Sequence, residues 1–308
     1  MATMHTGTNG GWVKYEGNPV LGGFLGTCFD ISMLQENGCY TLYFSWRDRA
    51  SIARTTSADG IHRQAPEICI APVETTEGWE DDLNRPSVVL RDGVYHMWYT
   101  GQYLPGRAEG TSDIFHAVSE DGVHFQRTSR QPVLRAELPW EKRAVMCPSV
   151  LWDAEKSIYR MWYSGGEQYE PTAIGYAVSN DGLHWRKYVG NPIHAADSTN
   201  PWEQHKAAGC QVLFSDGWYW MFYIGYANED YAQVGIARSR DGVTGWERSP
   251  LNPVIAPDPD CWDGEACYKP FVMFDDKNDC WRLWYNGRRG HVEQIGMATL
   301  VGKHLRFE

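Results

Sequence analysis

Long apolar runs are absent from this 308-residue chain. No stretch approaches the roughly 18 to 20 residues that a membrane-crossing helix requires. Residues Met1 to Gly10 carry neither the basic stretch nor the apolar core of a secretory leader, so the sequence as given reads as cytoplasmic, with no membrane partner. Positive charge is also scarce: 28 Lys and Arg face 39 Asp and Glu, a net charge of −11, which argues against nucleic acid as a partner. No window sustains a helical apolar period, so almost no helix is expected. The eight cysteines (Cys28, Cys39, Cys69, Cys147, Cys210, Cys261, Cys267 and Cys280) are dilute and lack any Cys-x-x-Cys or paired Cys and His spacing. No metal site follows from them, a disulfide framework is not indicated, and those inside apolar runs read as small buried hydrophobes. Aromatics, by contrast, are plentiful: 15 Trp, 17 Tyr and 10 Phe supply a large core and exclude a disordered chain.

The dipeptide Asp-Gly recurs at Asp59-Gly60, Asp121-Gly122, Asp181-Gly182 and Asp241-Gly242, at intervals of 62, 60 and 60 residues. Its surroundings recur with it, as in Ser119-Glu-Asp-Gly-Val-His-Phe125 and Ser179-Asn-Asp-Gly-Leu-His-Trp185. Between apolar runs this reads as a tight hairpin turn. Ahead of each turn lies an aromatic strand ending in tyrosine, at Tyr40–Tyr43, Tyr95–Tyr99, Tyr159–Tyr163 and Tyr219–Tyr223, and Trp281–Tyr285 supplies a fifth. An apolar strand precedes each of these and another follows, so each unit holds four short antiparallel strands, the pattern of a propeller blade. The fifth unit lacks the Asp-Gly turn, while Trp12-Val-Lys-Tyr-Glu-Gly-Asn-Pro-Val20 matches the fourth-strand segment Trp185-Arg-Lys-Tyr-Val-Gly-Asn-Pro-Ile193. The expectation is an all-β, five-bladed β-propeller, one domain over residues 1–308, closed by the N-terminal strand, which removes an open sheet edge.

Repetition separates scaffold from chemistry. A residue present in every unit is read as structural, and a polar residue present in one unit needs another explanation. The Asp of each Asp-Gly turn is scaffold by this test, and resembles the Asp-box turn of sialidases. Glu80, Glu141, Glu203 and Asp263 each follow a tryptophan ahead of a first strand and are read mainly as structural, with Glu203 kept as a candidate proton donor. The residues before Ile31, Pro86, Pro148, Cys210 and Pro270 form an unequal set: Asp30, Arg85, Cys147, Gly209 and Lys269. Nearby stand Asp82, Glu265 and His205 with Lys206, and after the tyrosine strands come Trp46-Arg47, Gln102, Glu167 and Arg288.

Carboxylates opposed across a pocket suit glycosidic cleavage, in which one protonates the leaving oxygen and the other attacks or activates water. Aromatic faces beside them suit sugar rings. Asp30, the one acid of the innermost set, is the candidate base or nucleophile. Glu167 is the first candidate donor, with Glu203, Glu265 and Asp82 behind it. Trp46, Arg47, Arg85, Gln102, His205, Lys206, Lys269 and Arg288 are the candidate sugar contacts.

Phe29-Asp-Ile-Ser32, the five units and the repeated Asn-Pro-Val segments resemble the five-bladed propeller superfamily of arabinanases, β-xylosidases, invertases, levansucrases and mannoside phosphorylases. That resemblance implies a glycoside hydrolase acting at the non-reducing end of a small furanoside or related oligosaccharide, with the family's first-blade Asp falling on Asp30. Elsewhere the chain departs from it. Invertases carry Arg-Asp-Pro and Glu-Cys-Pro where this chain has Asn84-Arg85-Pro86 and Met146-Cys147-Pro148, and the arabinanases' second Asp falls near Ser87. The proton donor must therefore come from another position. A phosphorylase needs only one acid, and the cations suit an attacking phosphate. A sugar-binding propeller without catalysis is the third reading. A small carbohydrate is the expected partner, no cofactor is called for, and nothing in the sequence names ligands for a Ca²⁺ on the axis.

Overall fold

The computed structural model describes residues 7–73, 80–103, 110–167 and 170–308. Trp79, ahead of Glu80, and Gln168 and Tyr169, beside Glu167, lie outside the described residues. Within them the chain is all-β, and its helical elements are three-residue 3-10 turns such as Gly23–Leu25 and Arg47–Arg49. No helix among the described residues is long and apolar enough to cross a membrane. All eight cysteines are free.

Strand β1 (Val13–Lys14) precedes a first antiparallel meander of β2 (Cys28–Glu36), β3 (Cys39–Trp46), β4 (Ser51–Ser57) and β5 (Glu67–Ile70). The second holds β6 (Asp82–Arg91), β7 (Val94–Tyr103), β8 (Thr111–Ser119) and β9 (Gln126–Arg127). The third holds β10 (Ala144–Asp153), β11 (Ile158–Glu167), β12 (Glu170–Ser179) and β13 (Arg186–Lys187), with β14 (His194–Ala195) also paired to β12. A parallel contact of Ala144 with Ser112 joins the second and third into one sheet. The fourth holds β15 (Lys206–Ser215), β16 (Trp218–Tyr226), β17 (Ala232–Ser239) and β18 (Glu247–Arg248). The last holds β19 (Ala266–Asp275), β20 (Cys280–Arg289) and β21 (Val292–Val301), and β1 fills its fourth place, with Val13 opposite Thr299 and Lys14 opposite Ala298.

The Asp-Gly connections are longer than the expected tight hairpins, with residues 120–125 and 180–185 separating the paired strands. The reason is the aspartate itself. Asp181 Oδ1 accepts the N–H groups of Leu183 (2.9 Å) and His184 (2.8 Å), so its side chain, not a two-residue turn, reverses the chain. Gly182 sits at φ +78°, and a Cβ there would lie 2.8 Å from the Trp98 ring of the preceding meander. Its carbonyl accepts the Trp98 indole N–H at 2.8 Å, and Gly242 with Trp162 and Gly122 with Tyr43 repeat the contact. The turns of the second, third and fourth meanders thus fasten each of them to the one before. The Asn-Pro segments are scaffold as well: the Asn18, Asn191 and Asn252 amides each bond both backbone groups of Met297, Tyr176 and Ile236 respectively.

A second repeated device is built on the acids that follow the tryptophans in sequence. Glu80, Glu141, Glu203 and Asp263 are almost wholly buried. Each accepts a tyrosine O–H from a second strand, Tyr99, Tyr163, Tyr223 and Tyr285 in turn, at 2.5 to 3.0 Å. Each also meets a cation from an outer strand, Arg127, Lys187, Arg248 and Lys14, at 2.7 to 2.8 Å. A buried carboxylate without such partners would be strongly destabilising, so the three groups act together as a latch between strands.

Candidate active site

The first strand of every meander breaks register at the same place, between Phe29 and Ile31, Asn84 and Ser87, Met146 and Ser149, Ala208 and Gln211, and Tyr268 and Phe271. The bulged residues are Asp30, Arg85, Cys147, Gly209 and Lys269, with φ between 42° and 57°. A bulge lets one strand residue leave the alternation and re-aims its side chain, and the proline after three of them has no N–H to leave unpaired. Side chains of one meander meet bulge N–H groups of the next: Ser45 accepts from Arg85 (2.8 Å), Thr100 from Cys147 (3.2 Å) and Ser164 from Gly209 (2.8 Å). Gln211 bonds Val272 to link the fourth meander to the last, and Asn286 accepts from Asp30 (2.9 Å) to link the last to the first.

Asp30 is 3% exposed. Its Oδ1 accepts from Asn286 Nδ2 at 3.1 Å, while Oδ2 is buried without a hydrogen bond and faces Arg85 Nε at 3.4 Å. Arg85 has Cys147, Asp30, Asp82 and Glu293 as its charged or ionisable neighbours. Burial raises the Cys147 thiol against the pull of Arg85 and Lys269, which keeps it neutral. Burial also raises the phenols of Tyr226 and Tyr268, both within electrostatic reach of Asp30. The Tyr268 hydroxyl donates to Glu293, whose other oxygen pairs with Arg47 Nη2 at 2.8 Å.

Of the residues expected at the site, Asp30, Arg85, Lys269, Arg47 and Asp82 come together. Asp82 is drawn in through Asn84 (3.5 Å), which donates at 2.8 Å to the buried Gln102. Burial raises the Asp82 carboxyl, with Arg47 and Arg85 opposing. Beyond Tyr226 lies a second group. Lys206, 3% exposed, holds its ammonium 4.3 Å from the Tyr226 ring, and burial lowers its pKa. Arg288, 3.7 Å from Glu265, lines a cleft of about 980 Å³ with Asn228, Asp230 and His291. The Trp46 indole is used in holding the preceding loop, donating to Leu25 O at 2.7 Å.

Glu203, Glu167 and His205, like Trp46, stand outside both groups. Glu203 belongs to the latch, bonded to Tyr223, Arg248 and Asn200, none of them a bulge-cluster residue. Glu167 is half exposed at the end of β11, 3.5 Å from Lys142. His205 is exposed, its backbone N–H bonded to Tyr226 O. Sequence reasoning missed Tyr268 and Asn286. The signal for both was available in the repeat: Asn286 stands where other meanders have Ser45, Thr100 and Ser164, and Tyr268 where they have Phe29, Asn84, Met146 and Ala208. No cluster of three or more His, Cys, Asp or Glu able to hold a metal occurs among the described residues.

The glycosyl hydrolases family 32 N-terminal domain matches residues 32–206 and 72–250. An uncharacterized protein of Mycobacterium tuberculosis (strain ATCC 25618 / H37Rv) is 28% identical over 280 residues, covering 86% of this chain and 89% of its own. A beta-1,2-mannobiose phosphorylase of Thermoanaerobacter sp. (strain X514) is 22% identical over 302 residues, covering 77% and 96%. Among solved structures, a thermostable family-43 glycoside hydrolase superposes with a TM-score of 0.73 at 17% identity, over 94% of this chain and 96% of its own. The fold is therefore that of the propeller glycosidases.

Proposed function

This chain belongs to the family of the glycosyl hydrolases family 32 N-terminal domain, and from that premise we propose that it hydrolyses a glycosidic bond in a small carbohydrate. The five meanders are read as five blades of a single-domain propeller closed by β1, with the bulged residues converging on its axis. Asp30 acts as nucleophile or as the base that takes a proton from water. Asp82, rather than Glu167, protonates the leaving oxygen. The observation that carries this reading is that Asp30 lies 3.4 Å from Arg85 and Asp82 within electrostatic reach of it, with the Asp82 carboxyl raised by burial. A carboxyl whose proton affinity is raised by burial is suited to the role of general acid. Arg47, Arg85, Gln102 and Lys269 hold the sugar hydroxyls, and the sugar is a furanoside, as in the invertases that the chain resembles.

Phosphorolysis is the second reading. One specific observation favours it: Asp30 meets Arg85, while Lys269 and Arg47 stand close by, a surplus of cations that suits a phosphate in place of water. The test is a panel of nitrophenyl glycosides and natural oligosaccharides, with and without inorganic phosphate, on the wild-type protein and Asp30→Asn. Turnover without phosphate that the variant loses supports hydrolysis. Turnover only with phosphate supports the second reading, and full activity in Asp30→Asn removes Asp30 from either mechanism.

A further inference from the structure

Resting on the reading of Asp30 as the reacting carboxylate, we propose that Asn286 is a positioning residue that fixes which oxygen of Asp30 faces the substrate. A bulge N–H needs only an acceptor, and Ser45, Thr100 and Ser164 meet that need with a hydroxyl. At Asp30 the equivalent residue is an amide, which brings an acceptor and two donors on one rigid plane. Asn286 uses both functions. Its Oδ1 accepts the Asp30 backbone N–H at 2.9 Å, and its Nδ2 donates to Asp30 Oδ1 at 3.1 Å.

The amide thus grips main chain and side chain of the same residue, which fixes the carboxylate's rotation. Asn286 is fully buried and Asp30 3% exposed, so no solvent competes for these bonds. With Oδ1 held, Oδ2 is left without a hydrogen bond, turned toward Arg85. A serine at 286 would still satisfy the backbone N–H, as its equivalents do elsewhere, but would free the carboxylate to turn and offer either oxygen to the guanidinium. Misplacement of a reacting group by about 1 Å can cost about 100-fold in rate. The clamp also spans the contact between the first and last meanders, since Asp30 lies on β2 and Asn286 on β20.

The experiment compares wild type, Asn286→Ser, Asp30→Asn and the double variant on the nitrophenyl glycoside that the wild type turns over, with thermal melting of each. Asn286→Thr, which copies Thr100, serves if the serine variant does not fold. The expected result is a kcat lower by about 100-fold with KM nearly unchanged and Tm within a few degrees of wild type. The double variant should be no slower than Asp30→Asn, because the amide acts through that carboxylate. Wild-type kcat in Asn286→Ser beside an inactive Asp30→Asn overturns the inference alone, as does a lowered Tm with kcat retained. Full activity in Asp30→Asn, or a wild type inert across the panel, overturns the parent reading and the inference with it.

Discussion

Arg85 holds its Nε 3.4 Å from Asp30 Oδ2 and donates from Nη1 to Asn84 Oδ1 at 2.8 Å, with Asp82 within electrostatic reach of the same guanidinium. One planar cation therefore acts on two carboxylates of different environment. Asp30 is almost wholly buried, while Asp82 is partly buried and raised by that burial. Lysine could supply the charge but not the fork. Arg85→Lys is expected to retain the fold and lose about 10- to 100-fold in kcat/KM, and Arg85→Gln about 100- to 1,000-fold, the range for removing one donor at a reacting centre. Steady-state kinetics with a melting curve for each variant check this. Wild-type kcat/KM in Arg85→Gln would remove the guanidinium from the site.

If Asp82 delivers the proton, its loss should matter in proportion to how much the leaving group needs one. Asp82→Asn should retain most of its rate on a dinitrophenyl glycoside, whose phenolate leaves unaided, and lose about 100-fold or more on an alkyl glycoside or natural oligosaccharide. Glu167→Gln should change neither, since Glu167 is half exposed and pairs with Lys142. The opposite pattern would return the donor role to Glu167.

The all-β class, the 60-residue repeat and the sharing of the last sheet with the N-terminal strand were legible because each rests on periodic residues. Asp30, Arg85 and Lys269 were legible for the related reason that they break a repeat at one equivalent position. What could not be read was side-chain pairing across meanders. Asp30 and Asn286 are 256 residues apart, and nothing local in either segment marks the other. The Asp-Gly connection was misjudged in length because the dipeptide alone does not reveal that Asp181 bonds two N–H groups ahead of it. Recurrence alone could not show that Glu203 is bonded to Tyr223 and Arg248, because those partners lie 20 and 45 residues away.

The latch makes its own prediction. Glu203 has no exposed surface, and removing its charge leaves Tyr223 and Arg248 with a poorer partner inside the fold. Glu203→Gln should lower stability by about 2 kcal/mol, since Arg248 retains some access to water and escapes the full cost of a stranded buried charge. Chemical denaturation measures the loss. The rate constant of the fraction still folded should match wild type, and a kcat reduced 100-fold or more at unchanged stability would restore Glu203 to the mechanism.

Asp113 sets a pH dependence of opposite sign to the usual carboxylate. It lies on β8, 7% exposed, beside a cavity of about 470 Å³ that Arg135 and Arg143 also line. Burial pushes its carboxyl up from 3.8 to about 6, against the opposing pull of Arg135 and the Ala136 N–H. Because the folded-state value lies above the unfolded one, the native protein binds the proton more tightly between those two values. The stability this group contributes is therefore full below about pH 4 and is lost as pH rises through about 6. A displacement of this size amounts to about 2 to 3 kcal/mol. Asp113→Asn keeps an acceptor for the Ala136 N–H and has no charge to bury. It should match wild type near pH 4 and exceed it by about 2 kcal/mol at pH 8, read as the difference between urea midpoints at the two pH values. A variant less stable than wild type at pH 8 would mean that the ionised Asp113 is held by its cations more strongly than burial opposes it.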